Sequence, residues 1–153
     1  MRLDSCGQVR KRGERKLEER EMTRDIVGTW ALVRAKSTAS DGTVMPPPYG
    51  GETGMGRVTF SASGRMICVL CDGRTSLPDG ETREYNSYCG NYTFDGTRLV
   101  TRVDAAASSI RVGGDEIRLV RFEGDLMVLQ PPVRQIGQKT VQREMSFQRI
   151  SST

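Results

Sequence analysis

The sequence predicts an all-β domain, built as an antiparallel meander that is closed as a barrel or folded as a sandwich. From residue 23 onward, short β-type runs alternate with turn dipeptides such as Asp41-Gly42 and Asp95-Gly96, and no convincing amphipathic helix interrupts them. Each dipeptide supplies a residue that tolerates positive φ, as tight hairpin loops require. The eight strand candidates cover residues 29–36, 56–60, 65–71, 84–94, 98–104, 116–122, 126–130 and 140–150.

The start of the chain differs from the rest. Residues 10–21 are almost entirely charged, with Leu17 as their only apolar side chain, so a helix there would have no face to bury. We expect residues 1–22 to be a disordered or non-native extension and residues 23–153 to form the folded domain. A basic arm for nucleic acid is the alternative, which nearby acidic residues weaken. A short helical turn is predicted near residues 24–27.

The composition excludes several kinds of chemistry. None of the 153 residues is histidine, which removes serine–histidine and cysteine–histidine catalysis, histidine-ligated zinc or haem, and an imidazole pH switch. The net charge of +4 is modest and the arginines are spread along the chain, so no nucleic-acid partner is expected. No apolar run approaches the roughly 18 residues of a membrane span. We predict no cofactor and no metal.

The cysteines are predicted to be packing thiols. Cys68 and Cys71 form a C-x-x-C within an apolar run of β character. On a strand, residues three apart point to opposite faces, so the two sulfurs would not converge. Neither Cys6 nor Cys89 lies in a second such motif, so a four-cysteine zinc site is not expected. Reduced thiols without an export signal favour a cytoplasmic location.

Alternation along the predicted strands places two arginines on apolar faces. In residues 140–150, Arg143 shares its face with Met145 and Phe147, so we expect all three to point inward. In the first strand, an inward Trp30 implies an inward Arg34. A buried guanidinium must be paired or face a wet cavity, because isolated charge burial is very costly.

The predicted strand at residues 84–94 carries a tyrosine face. Tyr88, Gly90 and Tyr92 lie on one side of it, and tyrosine offers an apolar ring with a hydroxyl group for ligand contact. A glycine inside a strand is typical of a bulge or a bend, such as barrel corners need. We therefore predict an irregularity at Gly90.

Several motifs, in order, resemble those of the bacterial lipocalin-like domain family of calycin-type β-barrels. Gly28-Thr29-Trp30 resembles the G-x-W signature that opens the first strand of lipocalins and their relatives. The segments 56–60, 63–66 and 88–96 resemble the family's Gly-x-aliphatic-x-aromatic strand, its Gly-Arg-Met hairpin and its Tyr-x-Gly-x-Tyr segment. The likeness covers about residues 25–149. The connection between Cys71 and Tyr85 is short, where relatives often carry a longer, partly helical insertion.

The resemblance implies an antiparallel lipocalin-like barrel of eight strands, or up to ten, and the short N-terminal helical turn predicted above precedes it. It also implies that Trp30 lies near the closed end, with Arg149 from the last strand packed across the indole and Arg143 as the fallback. That contact is architectural, since a guanidinium stacks on an indole while its fork hydrogen-bonds to nearby carbonyls.

A barrel of this size can be filled by side chains or can hold one small ligand. Our leading hypothesis is binding of a small, mostly apolar molecule, aromatic or anionic. The alternative is an enzyme that isomerises, cyclises or hydrates a small polyketide-like or aromatic metabolite in the same cavity. Without histidine its base would be Glu, Asp, Tyr or a water, and no catalytic residue is singled out. The candidate pocket residues are Arg34, Phe60, Met66, Tyr88, Tyr92, Arg102, Arg121, Arg143 and Met145.

Overall fold

Ten β-strands dominate residues 25–153, the part of the chain that this computed structural model describes. The predicted extension at residues 1–22, together with Cys6, lies outside the described residues. The strands are β1 (Gly28–Ala39), β2 (Val44–Met45), β3 (Met55–Phe60), β4 (Arg65–Cys71), β5 (Tyr85–Phe94), β6 (Arg98–Ala106), β7 (Asp115–Glu123), β8 (Leu126–Gln130), β9 (Arg134–Ile136) and β10 (Lys139–Ser151).

Eight of these strands close into an antiparallel barrel. The order around it is β1-β3-β4-β5-β6-β7-β8-β10, and β10 pairs with β1 to complete the circle. The short strands β2 and β9 extend the sheet beside β1 and β10, respectively. The prediction of an eight-stranded barrel with up to ten strands is therefore confirmed. Closure satisfies the backbone groups that an open sheet would expose along its edges.

The predicted helical turn near residues 24–27 is wrong within its described part, because residues 25–27 have no regular secondary structure. The Asp25 carboxylate instead accepts a hydrogen bond from the Val27 backbone N–H, 2.8 Å away. Such a local side-chain bond competes with helix formation. The described helical segments are two 3-10 turns, at Pro48–Thr53 and Ser109–Arg111.

A bulge in β1 changes which of its residues face the interior. Leu32 pairs with Phe147 and Arg34 with the preceding residue Ser146, so Val33 is an extra residue without a partner on β10. An extra residue reverses the faces of all that follow. Ala35 is consequently buried and Arg34 is exposed. The prediction that Arg34 points inward is wrong for this reason.

The predicted irregularity at Gly90 is confirmed. The register between β5 and β6 shifts between Cys89 and Gly90. A Cβ atom at Gly90 would lie only 1.9 Å from the carbonyl oxygen of Arg102. Glycine is therefore required here by the close approach of the neighbouring backbone.

One end of the barrel is closed around Trp30. The indole packs against Phe122, with 6.5 Å between ring centroids, and its Nε1–H donates to the carbonyl of Ile26 at 2.9 Å. The guanidinium carbon of Arg149 lies 4.6 Å from the indole centroid, and Nη2 of Arg149 donates to the Asp25 carbonyl. This is the contact that the family resemblance implies.

The opposite end is bordered by the Pro48–Thr53 segment, which packs against β1. Its residues Tyr49, Gly50 and Gly51 all have positive φ, at 54°, 76° and 68°. A tyrosine in this region of φ is uncommon and must be held by its surroundings. Residues 72–84, which connect β4 to β5 without a helix, lie next to it, because the carboxylate of Asp72 approaches Gly50 closely. None of the described helical segments is long and apolar enough to cross a membrane.

Candidate functional site

A cavity of about 270 Å³ lies at the end of the barrel opposite Trp30. Its apolar wall combines side chains from β4, β8 and β10, namely Leu70, Leu129, Met145 and Phe147. These residues alternate with outward-facing ones along their strands, which is why they converge on the interior. The cavity is therefore apolar on one side, and the rest of its wall includes charged and aromatic groups together with Cys68, Asn86 and residues 131–133.

Strand β7 supplies the polar side of the cavity. Its buried Val120 sets the phase of alternation, so that Arg118 and Glu116 also point inward. Arg118 is only 8% exposed. Its Nη1 donates to the Ile117 carbonyl at 2.8 Å, and its Nη2 donates to Glu116 Oε2 at 3.0 Å. Within residues 25–153, no group accepts a hydrogen bond from its Nε.

Arg111 joins this cluster from the Ser109–Arg111 turn. Its Nε lies 3.6 Å from Glu116 Oε1, and its Nη1 donates to the side-chain oxygen of Asn86 at 2.9 Å. Glu116 is thus paired with two arginines, since Arg118 holds its other oxygen. One carboxylate between two guanidinium groups leaves this wall of the cavity with a net positive charge.

Tyr88 lies at the centre of the positive cluster. The guanidinium carbons of Arg111 and Arg118 each lie 5.9 Å from its ring centroid, in range of a cation–π contact. The residue is 5% exposed, and burial raises the pKa of its hydroxyl well above the ordinary value. The hydroxyl therefore keeps its proton at neutral pH. It has no hydrogen-bond partner among residues 25–153.

Arg143 borders the mouth of the cavity from β10. Its Nη1 donates to Glu84 Oε1 at 3.1 Å, and Glu84 Oε2 accepts the Tyr49 backbone N–H at 3.1 Å. Glu84 thus ties β10 to the Pro48–Thr53 segment. The Nε of Arg143 is buried without a hydrogen-bond partner, as is Oγ of Ser37, its cross-strand neighbour on β1.

Cys68 also lines the cavity, and burial raises the pKa of its thiol to about 12. A thiol that stays protonated is a poor nucleophile. The free cysteines of the described residues are Cys68, Cys71 and Cys89, and no cluster of potential metal ligands occurs in the same part of the chain.

The predicted pocket residues fall into three groups. Tyr88, Arg143 and Met145 line the cavity. Phe60 and Met66 are buried in the core outside the cavity lining, and Tyr92 packs beside Phe60 with its hydroxyl donating to the Ser61 carbonyl at 2.8 Å. The remaining three lie on the outer surface and do not approach the cavity: Arg34, Arg102 and Arg121.

The outward positions of Arg102 and Arg121 correct the prediction for both. Thr101 on β6 and Val120 on β7 are buried, so the residue after each points away from the interior. Arg102 pairs with Asp115 at 2.6 Å, and Arg121 pairs with Glu144 at 3.1 Å on the barrel exterior.

Sequence reasoning missed Arg118, Glu116, Arg111 and Tyr49. Alternation along residues 116–122 could have identified Arg118 and Glu116, because both lie on the same face of the predicted strand as Val120. Arg111 and Tyr49 lie in irregular segments, where no periodicity indicates the direction of a side chain.

A closed antiparallel barrel with a cavity at one end belongs to the class of β-barrels that can enclose one small ligand. Residues 27–150 match the family model of the lipocalin-like domain, and the chain belongs to that family. No curated protein matches the chain significantly.

Proposed function

We propose that this protein binds one small, mostly apolar organic molecule, aromatic or anionic, in the cavity opposite Trp30. The observation that carries the proposal is the cavity itself, where an apolar wall faces four arginines. Sites for small molecules typically combine apolar lining with a few placed polar groups. Membership of the lipocalin-like family supports the same general role.

The size of the cavity limits the ligand. Small-molecule pockets typically measure about 300–1,000 Å³, and this one, at about 270 Å³, lies near the lower limit. A compact ligand with one or two rings, or a short aliphatic chain, fits such a volume. The rest of the interior is filled by core side chains outside the cavity lining, such as Phe60 and Met66, so the ligand enters only one half of the barrel.

The charges favour an electron-rich ligand over a cationic one. Four arginines line the cavity, Arg111, Arg118, Arg134 and Arg143, while Glu116 is the carboxylate in the lining and Glu84 lies beside Arg143. Both carboxylates are engaged by arginines, so neither is available as a free base. Catalysis in the cavity stays a prediction from the sequence, with no contact that favours it over binding.

We keep a cytoplasmic location as part of the proposal. The three described cysteines are free thiols, and reduced thiols are typical of proteins in that compartment.

Native mass spectrometry of the protein purified from the cells that produce it tests the proposal. We expect a non-covalent adduct of a small organic molecule that is lost on denaturation. Leu129→Trp fills the cavity and should abolish the adduct, whereas Leu119→Trp, on the outer face of β7, should retain it. Thermal melts of both variants check that they fold. An absent adduct, together with no saturable binding from a panel of aromatic and fatty acids and their amides, would overturn the proposal.

A further inference from the structure

The cavity contains two hydrogen-bond donors, on buried side chains, for which residues 25–153 supply no acceptor. They are the hydroxyl of Tyr88 and the Nε–H of Arg118, both on residues that are more than nine-tenths buried. Among residues 25–153, the side-chain polar atoms that are fully buried and lack a hydrogen-bond partner are Ser37 Oγ and Arg143 Nε. The Tyr88 hydroxyl and the Arg118 Nε are not among them, so both atoms reach open space. The two free donors therefore open into the cavity that both residues line. Donors that reach open space and have no acceptor among the described residues can donate to a ligand oxygen there.

We propose that the ligand carries a carboxylate that lies between Tyr88 and Arg118, so that the cavity selects small apolar carboxylic acids over their neutral analogues. This inference rests on the proposed function and names the ligand class and the residues that select it.

The net charge of the cluster matches a single carboxylate. Arg111 and Arg118 contribute two positive charges, and Glu116, which is bonded to both, contributes one negative charge. A monoanion placed against Tyr88 neutralises the remaining charge. A cation would be repelled, and a neutral group would leave the buried positive charge uncompensated.

The geometry of the cluster is fixed before a ligand arrives. Glu116 and the Ile117 carbonyl hold the two Nη atoms of Arg118, and Arg111 is held by Glu116 and Asn86. The Tyr88 ring is in contact with both guanidinium groups, which restricts its motion. Preformed donors reduce the entropy lost on binding.

Arg143 is the competing anchor, and its contacts favour a different role. Its Nη1 is occupied by Glu84, and its Nε is buried away from the open space of the cavity. It therefore ties β10 to Glu84 at the mouth, while Arg118 presents its free N–H to the interior. The hydrophobic part of the ligand would then lie against Leu129, Met145 and Phe147.

Calorimetric titration with matched acid and amide pairs tests the inference. The probes are 2-naphthoate and 2-naphthamide, indole-3-acetate and its amide, and octanoate and its amide. We expect the native protein to bind the best acid at least about tenfold more tightly than its amide, since hydrogen bonds to charged groups are the stronger ones. Tyr88→Phe should weaken binding of that acid about tenfold and its amide less. Arg118→Met should reduce the preference for the acid to near unity.

Two further variants, Tyr92→Phe and Arg118→Lys, serve as controls. Tyr92→Phe removes a tyrosine hydroxyl at the other end of the barrel and should leave both affinities unchanged. Arg118→Lys retains the charge and should keep part of the preference for the acid. It replaces Arg118→Met in the test if that variant fails to fold. Tyr88→Phe removes only an atom that has no hydrogen-bond partner among residues 25–153, so it should fold like the native protein.

The outcomes separate the two proposals. If no probe binds saturably and no native adduct is found, the proposed function fails. If probes bind but acids are not preferred over amides, the carboxylate site is wrong and ligand binding stands. The same conclusion follows if Tyr88→Phe and Arg118→Met keep the preference for the acid while Arg143→Met loses it.

Discussion

The guanidinium of Arg149 lies across the indole of Trp30, at 4.6 Å from its centroid, and also donates to the Asp25 carbonyl. Arg149 of β10 thus packs on Trp30 of β1 and also hydrogen-bonds to the segment that precedes β1. Arg149→Met should lower the free energy of unfolding by about 1 kcal/mol, because the cation–π contact and the carbonyl bond are both lost. Arg102→Met, which removes an exposed ion pair, should cost less than about 0.5 kcal/mol. Urea unfolding measures both, and equal losses would contradict a special role for Arg149.

Gly90→Ala should disrupt the pairing of β5 with β6. The added Cβ would lie 1.9 Å from the Arg102 carbonyl oxygen, so a strand must shift. We expect a loss of at least about 2 kcal/mol in unfolding free energy, as for other strained or overpacked positions. Cys89→Ala, at the half-buried neighbouring position, should change it by less than about 1 kcal/mol. A Gly90→Ala protein that melts like the native one would show that the register tolerates a side chain.

Glu144 should stabilise the barrel in a pH-dependent way. Burial alone would raise its pKa, but hydrogen bonds from Arg121, Lys36 and Gln130 lower it from 4.5 to about 2. Its pKa is thus depressed on folding, so its contribution is fully present above about pH 4.5 and is lost as the pH falls towards 2.

Glu144→Gln should therefore cost roughly 1–3 kcal/mol at pH 7 and much less at pH 2.5. Urea midpoints of the native protein and the variant at the two pH values measure this. Glu123→Gln is the control, since its ion pair with Arg121 lies on the exposed surface. A deficit of the same size at both pH values would mean that the effect of Glu144→Gln is not electrostatic.

Glu84 should hold the Pro48–Thr53 segment in place. It accepts the Tyr49 backbone N–H and the Arg143 guanidinium at 3.1 Å each. Glu84→Ala should increase amide hydrogen exchange of Tyr49 and its neighbours several-fold, because Tyr49 is kept at positive φ by its surroundings. Glu52→Ala, an exposed change within the segment itself, should not. Unchanged exchange in the Glu84→Ala protein would show that packing against β1 alone fixes the segment.

Much of the barrel was predictable because its strands follow regular alternation. In β10, Met145 and Phe147 are buried as their spacing indicates, and Arg143, which shares their face of the strand, lines the cavity with them. The bulge at Val33 was not predictable, since nothing in the sequence of β1 marks an extra residue, and Arg34 was misplaced as a consequence.

The candidate site was predictable only in part. Tyr88 and Met145 could be assigned from alternation, and so in principle could Arg118, since it shares its phase with Val120. Arg111 could not, because it reaches the cavity from a 3-10 turn whose direction depends on the packing of the folded barrel.

Trp30 is the only tryptophan of the chain, and it lies at the closed end, among core side chains and away from the cavity lining. Its emission therefore reports on the integrity of the closed end. Unfolding can be followed by tryptophan fluorescence in the presence of a bound ligand, while occupancy is measured through the ligand's own signal. Because a ligand that binds the folded state stabilises it by mass action, the shift of the unfolding midpoint with ligand concentration links the saturation of the cavity to the stability of the barrel.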